Sequence, residues 1–326
     1  PLAGVGPATS FWRADAPHAS GLRLHDRWLL AGEIASLDLA ARWVTLSACH
    51  TARALVNPGE NVLTPCPEYP LYSAVLAKLD THPNSYLLDE DNGWEPDIEH
   101  LASRILTGTR GIVVGNPNNP TGAVCSRRTL EAIAELARQH NLVIFADEIY
   151  TKLVFDPAGA GPVSIAALAP DVPVVTFNGI SKAYLAPGWR LGWGVVSGEA
   201  AAVKPYVEGI HKLLRARISA NHPEQYAIKP ALEGPQDHMP EVLAKLRARR
   251  DLTVRWANST PRISLVEPQG AFYAFPRLDI PEPDEDFVKK LLVEKQVLVV
   301  HGSGFGQAPG TRHIRIVFLP DEATLG

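Results

Sequence analysis

The sequence predicts an α/β protein, with a mostly parallel sheet covered by helices on both faces and a small α+β domain after it. Three observations carry this expectation. Residues 109–115 (TRGIVVG) and 142–146 (LVIFA) are continuous apolar runs, the pattern of strands buried on both faces. An amphipathic stretch, residues 127–140, lies between them, and strand–helix alternation implies parallel strands joined by crossovers. After about Pro240 the texture changes to one long charged helix and several short strands.

Taken in order, residues 60–65 (ENVLTP) read as a short strand and residues 109–115 as the next. The helix at 127–140 places Leu130, Ile133, Ala134, Leu136 and Ala137 on one face, with Ser126 as its N-cap. Strands follow at 142–146, 172–177 and 191–196. A ligand of such a sheet sits beyond the carboxyl ends of its strands. The later part predicts a helix at 241–256, a hairpin of 263–266 with 271–275 around Pro268 and Gly270, a helix at 286–295, and strands at 297–301 and 313–318. The expected domains are therefore 1–54, 55–240 and 241–326. The first of these stands outside the α/β rhythm: residues 21–30 alternate like an edge hairpin, and 43–47 (WVTLS) form one apolar strand. The chain opens on Pro1 and stops at Gly326 where a helix is about to start, which predicts a fragment cut at both ends, without the last C-terminal helix.

With 326 residues and 46% hydrophobic content, the chain has enough material for one large core and a smaller one. A net charge of −4 without a basic cluster argues against a nucleic-acid partner. No apolar run reaches the roughly 18 residues of a membrane span. Cys49, Cys66 and Cys125 show neither framework nor metal spacing, and fit free thiols in a cytoplasmic protein. His301 and His313 carry no ligand spacing and read as structural; no metal site is expected.

The residues with chemistry cluster at strand ends. Residues 116–122 (NPNNPTG) make a stiff turn after one strand. Asp147 ends the next, in FADEIY, with Tyr150 three residues on. Lys182 follows a third strand in FNGISKAYLAPGW, and Arg190 comes after it in GWRLGW.

These four motifs, in this order and spacing, resemble the class I/II fold-type I aminotransferases, over roughly residues 55–325. VTFNGISKAY, RARISANHPEQYAI, EPQGAFYAFP and VLVVHGSGFG are most similar to the alanine aminotransferase branch. The resemblance implies pyridoxal 5′-phosphate as cofactor, and transfer of an amino group between alanine, or a similar small amino acid, and a 2-oxo acid such as 2-oxoglutarate. Such chemistry needs a lysine for the Schiff base, an acid at the pyridine nitrogen, donors at the 3-hydroxyl, and a cation at the phosphate. The resemblance assigns these roles to Lys182, to Asp147, to Tyr150 with Asn119, and to Arg190 assisted by Ser181. It places Tyr69 on the ring face and Arg315, with Asn119, at the substrate carboxylate. Plain readings stay open beside these: Asn119 as a turn residue, Tyr69 as core, Ser181 as structural, Arg315 as a surface partner of His313. The family also implies a homodimer.

Residues 11–51 resemble something else, part of a CHAT domain, a caspase-like cysteine peptidase fold, with Cys49 at the nucleophile position. No histidine precedes His18, so the expected base is missing, and a thiol of pKa about 8.5 is a weak nucleophile without one. The aminotransferase N-terminal arm, glycine loop and phosphate turn are not identifiable in 1–54; Ser47 to His50 falls where the phosphate turn belongs. Two further readings therefore stand beside the transaminase: a chimeric or truncated chain that binds the cofactor weakly and is inactive, and a CHAT-like peptidase or interaction module.

Overall fold

The computed structural model describes residues 10–11, 21–23, 28–30, 56–57, 59–155, 163–214 and 220–325. The chain divides into two compact units, Pro1–Thr45 and Leu46–Gly326. In the first, β1 (Ser10–Phe11), β2 (Gly21–Arg23) and β3 (Trp28–Leu30) form an antiparallel three-stranded sheet, in which β2 and β3 are the hairpin expected at 21–30. The strand expected at 43–47, together with Cys49 and the residues around it, lies outside the described residues.

The second unit is built on seven strands: β4 (Asn61–Cys66), β5 (His82–Asp89), β6 (Glu95–Pro96), β7 (Thr109–Gly115), β8 (Val143–Asp147), β9 (Val174–Gly179) and β10 (Gly192–Ser197). Their order is β10-β9-β8-β7-β4-β5-β6. The five central strands are parallel, and β10 and β6 run antiparallel at the edges. The apolar runs are continuous because alternate residues enter different cores. Ile112, Val114 and Ile144 pack with Leu130, Ile133, Ala134 and Ala137 of α3 (Arg127–Gln139) and Leu101 of α2 (Ile98–Ser103). Val113, Val143 and Phe145 face the other way, against Leu76 of α1 (Leu71–Lys78) and Tyr206 and Ile210 of α4 (Ala200–Leu214).

Ser126 caps α3, its hydroxyl accepting from Thr129 N at 3.2 Å. Such a cap contributes about 1 kcal/mol, whereas each fully buried Leu or Ile contributes about 1.5–3 kcal/mol, so the buried face holds this helix. Strand β5 has no counterpart in the sequence expectations. Its first half, HPNS, is polar, yet Asn84 donates to the Arg104 carbonyl at 2.7 Å, and the buried Tyr86 hydroxyl donates to Val113 O at 2.8 Å.

The later segment holds α5 (His238–Ser259), β11 (Ile263–Ser264), β12 (Tyr273–Ala274), β13 (Arg277–Leu278), α6 (Asp284–Lys295), β14 (Val300–His301) and β15 (Ile314–Val317). The hairpin expected from 263–266 and 271–275 does not form. Instead β11 pairs with β13, and β12 with β15. The turn between the two stretches is spent on the large sheet: Gln269 N and Gly270 N both donate to Gly122 O at 2.9 Å, and Ala271 N donates to Leu153 O at 2.8 Å. Phe275 and Phe305 thereby enter the same core as β7 and α3.

Candidate active site

The chemistry-bearing residues stand at the carboxyl ends of β7, β8 and β9 and on β15. The loop after β7 is shaped by its own asparagines. Asn116 N donates to Asp147 O at 3.0 Å, Asn116 Oδ1 accepts from Cys125 N at 3.0 Å, and Asn118 Oδ1 accepts from the Thr121 hydroxyl at 2.9 Å. Gly122 closes the loop at φ +72°, where a Cβ would lie 2.7 Å from Pro268 Cβ and 2.8 Å from Tyr273 O. Only glycine combines that left-handed backbone with so close an approach. The fit seats Asn119 against β15, where its Oδ1 accepts from Arg315 Nη1 at 3.0 Å.

Asp147 ends β8. Its Oδ2 accepts from the Tyr72 hydroxyl at 2.6 Å and its Oδ1 from Ile149 N at 3.3 Å. Burial pushes this carboxyl above its ordinary range, while those hydrogen bonds and the charge of Lys182 pull the other way. Tyr150 is buried, edge-on to Phe272 and Tyr273, and its hydroxyl lies 2.7 Å from that of Tyr273. Burial drives its phenol far above the usual tyrosine range.

Lys182 lies in the turn after β9, half-buried. Its Nζ stands 5.2 Å from the Phe272 ring centroid and 5.4 Å from that of Tyr150. Burial lowers its pKa, and the cations Arg315 and Arg190 lower it further, against Asp147. Arg315 projects from β15 between two rings, with Cζ 4.6 Å from the Phe305 centroid and 4.7 Å from that of Tyr273. Its Nε is buried and has no hydrogen-bond partner.

The fold thus brings Asn119, Asp147, Tyr150, Lys182 and Arg315 into one cluster, joined by hydrogen bonds, ring contacts or charge. Tyr69 stands at its edge, exposed, with its ring edge-on to Tyr72 at 6.0 Å. Arg190 lies near enough to act on Lys182 by charge, but it is exposed and gives Nη1 to Pro187 O at 2.8 Å. Ser181 is half-buried beside Lys182 and makes no hydrogen bond to a described residue. His301 and His313 sit apart, in a chain that runs from His301 Nδ1 to Ser303 Oγ, on to Asp284 and Gln307, and then to His313 Nδ1. The His313 ring stacks on Phe275, 4.7 Å between centroids.

Sequence reasoning missed Tyr72, Tyr273, Phe272 and Phe305. The last three stand inside strings quoted only for their resemblance, GAFYAFP and GSGFG, and Tyr72 closes the stretch PCPEYPLY (residues 65–72) that carries Tyr69, where nothing local singles it out. A separate cleft of about 220 Å³ lies between Leu87–Trp94 and Ala308–His313. Its carboxylates are already engaged: Asp89 and Asp97 cap Asp91 N and His100 N, and Glu90 faces His313 and Arg277. Among the described residues, no group of three or more His, Cys, Asp or Glu is arranged to hold a metal, and no helix is long and apolar enough to cross a membrane.

Residues 46–325 match the family described as aminotransferase class I and II. The chain is 43% identical over 274 residues to glutamate-pyruvate aminotransferase AlaA of Escherichia coli, covering 82% of this chain and 67% of that protein. It is 44% identical over 277 residues to an alanine aminotransferase of Mycobacterium bovis, covering 83% and 64%. Among solved structures, alanine aminotransferase from Pyrococcus furiosus superposes with a TM-score of 0.81 at 38% identity, covering 85% of this chain and 70% of that one. The chain spans about two thirds of the length of these relatives.

Proposed function

The chain belongs to the class I and II aminotransferases, and we propose on that premise that it moves an amino group between alanine, or a similar small amino acid, and a 2-oxo acid such as 2-oxoglutarate, with pyridoxal 5′-phosphate as cofactor. The single observation that carries this reading is the Lys182 amine, its pKa lowered, facing the same cluster as a half-buried carboxylate and a ring-sandwiched arginine.

The residues present fit the cofactor. Lys182 Nζ donates no hydrogen bond and forms no ion pair among the described residues, which suits covalent attachment. The orphaned, buried Arg315 Nε calls for an anion that the chain itself does not supply. When bound, pyridoxal phosphate supplies an electron-withdrawing ring that lets a proton leave the substrate Cα.

The chain's own residues do the rest. Asp147 would hold the ring nitrogen's proton. Tyr150 and Asn119 would donate to the 3-oxygen; because Asn119 Oδ1 is occupied by Arg315, its amide N–H groups are left as the donors. Arg315 clamps the substrate carboxylate through two parallel N–H donors, held in plane by Tyr273 and Phe305. Lys182 Nζ, its pKa lowered by burial and by the cations Arg315 and Arg190, would take the proton from the substrate Cα. Tyr69 would cover the ring face, and Arg190, with Ser181, would hold the phosphate.

A second reading, of weak cofactor binding without turnover, draws support from Arg190, whose guanidinium is exposed and engaged with Pro187 O. The domain division at 54 and 240, a homodimer and a cytoplasmic location belong to the same proposal; exposed Leu185, Trp189 and Val195 are the kind of apolar surface a second copy covers.

The test is addition of pyridoxal phosphate to the purified chain, borohydride reduction, and peptide mapping, followed by an alanine–2-oxoglutarate assay. Attachment at Lys182 with turnover is expected. Attachment without turnover selects the second reading, and attachment elsewhere sinks both.

A further inference from the structure

We propose that Tyr72 is the positioning residue for Asp147, fixing the direction of its carboxylate for a protonated ring nitrogen; the inference rests on the cofactor reading above. Tyr72 enters from the first turn of α1, on the far side of β7 in sequence from Asp147, and its hydroxyl reaches Oδ2 at 2.6 Å. Ile149 N takes Oδ1 at 3.3 Å. With each oxygen held by one donor, the carboxylate plane is set, and the lone pairs left over point in a defined direction. An O–H···O⁻ contact of 2.5–2.7 Å is in the charge-assisted class, roughly twice as strong as a neutral pair.

Two further observations tie this contact to the site. Gly115 pairs directly with Asp147 in the β7–β8 register. A Cβ there would lie 3.5 Å from the Tyr72 hydroxyl, in van der Waals contact, so this strand end borders the contact. The Tyr72 ring also meets Tyr69 edge-on, 6.0 Å between centroids and 86° between planes. One side chain thus braces both the residue assigned to the ring face and the residue assigned to the ring nitrogen.

A plain structural brace would hold α1 against β7 and β8 and nothing more. The two roles separate on the ring nitrogen itself. Dissociation constants should be measured for pyridoxal phosphate and for its 1-deaza analogue, in which C–H replaces the ring nitrogen, on the full chain and on Tyr72→Phe. Phenylalanine keeps the ring against Tyr69 and removes only the hydroxyl. For pyridoxal phosphate the constant should rise about tenfold, the order of one hydrogen bond to a charged group. For the deaza analogue, which offers Asp147 no N–H, it should stay within about twofold. Because the same variant meets both ligands, a folding defect would weaken both alike. An equal loss for both, or no loss for either, overturns the proposal and leaves Tyr72 a brace. If the unsubstituted chain attaches no cofactor at Lys182, the cofactor reading falls, and this inference falls with it.

Discussion

Lys182 and Arg315 are both cations facing one cluster, yet the fold treats them in opposite ways. Lys182 stands in a turn, half-buried, with two aromatic rings beyond 5 Å and no acceptor among the described residues. Arg315 stands on a strand, pressed between two rings under 5 Å away and tied to Asn119. The difference matches the roles proposed for the two charges. An amine stripped of partners and placed near other cations gives up its proton readily, which suits a base. A guanidinium cannot give up its proton near neutral pH, so rigid packing turns it into a fixed clamp.

The largest effect should come from breaking the mobile half of this pair. Lys182→Ala should lower transamination by about 10⁴-fold or more, since it removes both the covalent anchor and the base. Steady-state rates on the loaded protein check this, and turnover within tenfold of the unsubstituted chain would remove Lys182 from the mechanism.

Breaking the fixed half should cost less and show differently. Arg315→Lys keeps the charge but loses the fork and the flat surface between Tyr273 and Phe305. We expect kcat/KM for the amino acid to fall about 100-fold, the order of a lost bidentate contact. Cofactor attachment at Lys182 should be unaffected. Equal kcat/KM in the lysine variant would mean that Arg315 acts as a simple point charge.

The smallest effect sharpens the contrast through pH. The Lys182 amine has its pKa lowered in the folded, cofactor-free chain, whereas an unfolded lysine stays near its ordinary value of about 10.4. Between those values the unfolded state binds more protons, so stability rises with pH across that window. Below it, the folded state carries the full cost of a charged amine among cations. Urea unfolding of the cofactor-free chain at a series of pH values should show this rise, and Lys182→Met should flatten it. Identical slopes in the two proteins would show that the amine is well solvated. Arg315 should contribute no such slope.

Much of this arrangement was legible beforehand, for reasons specific to each part. Residues 109–115 and 142–146 were readable as strands because both faces are covered, by α2 and α3 on one side and α1 and α4 on the other. Strand β5 was not readable, because its polar first half is satisfied by Asn84 and by pairing with β4 rather than by apolar burial. The expected hairpin at 263–275 failed because Gln269 and Gly270 spend their N–H groups on Gly122, more than a hundred residues away in the chain. No local turn pattern contains that information.

The same division runs through the site. Asp147, Tyr150, Lys182 and Arg190 stand in short strings whose residue types are chemically distinctive, so the sequence by itself was enough to single them out and to suggest their roles. Which side chains would hold them was decided only by tertiary structure. Tyr72 reaches Asp147 across 75 positions, Tyr273 reaches Tyr150 across 123, and Arg315 reaches Asn119 across 196. Such contacts follow from strand order, register and the close approach that Gly122 permits. Periodicity and local motifs report which face of an element is buried; which partner arrives at that face is set by how the elements pack.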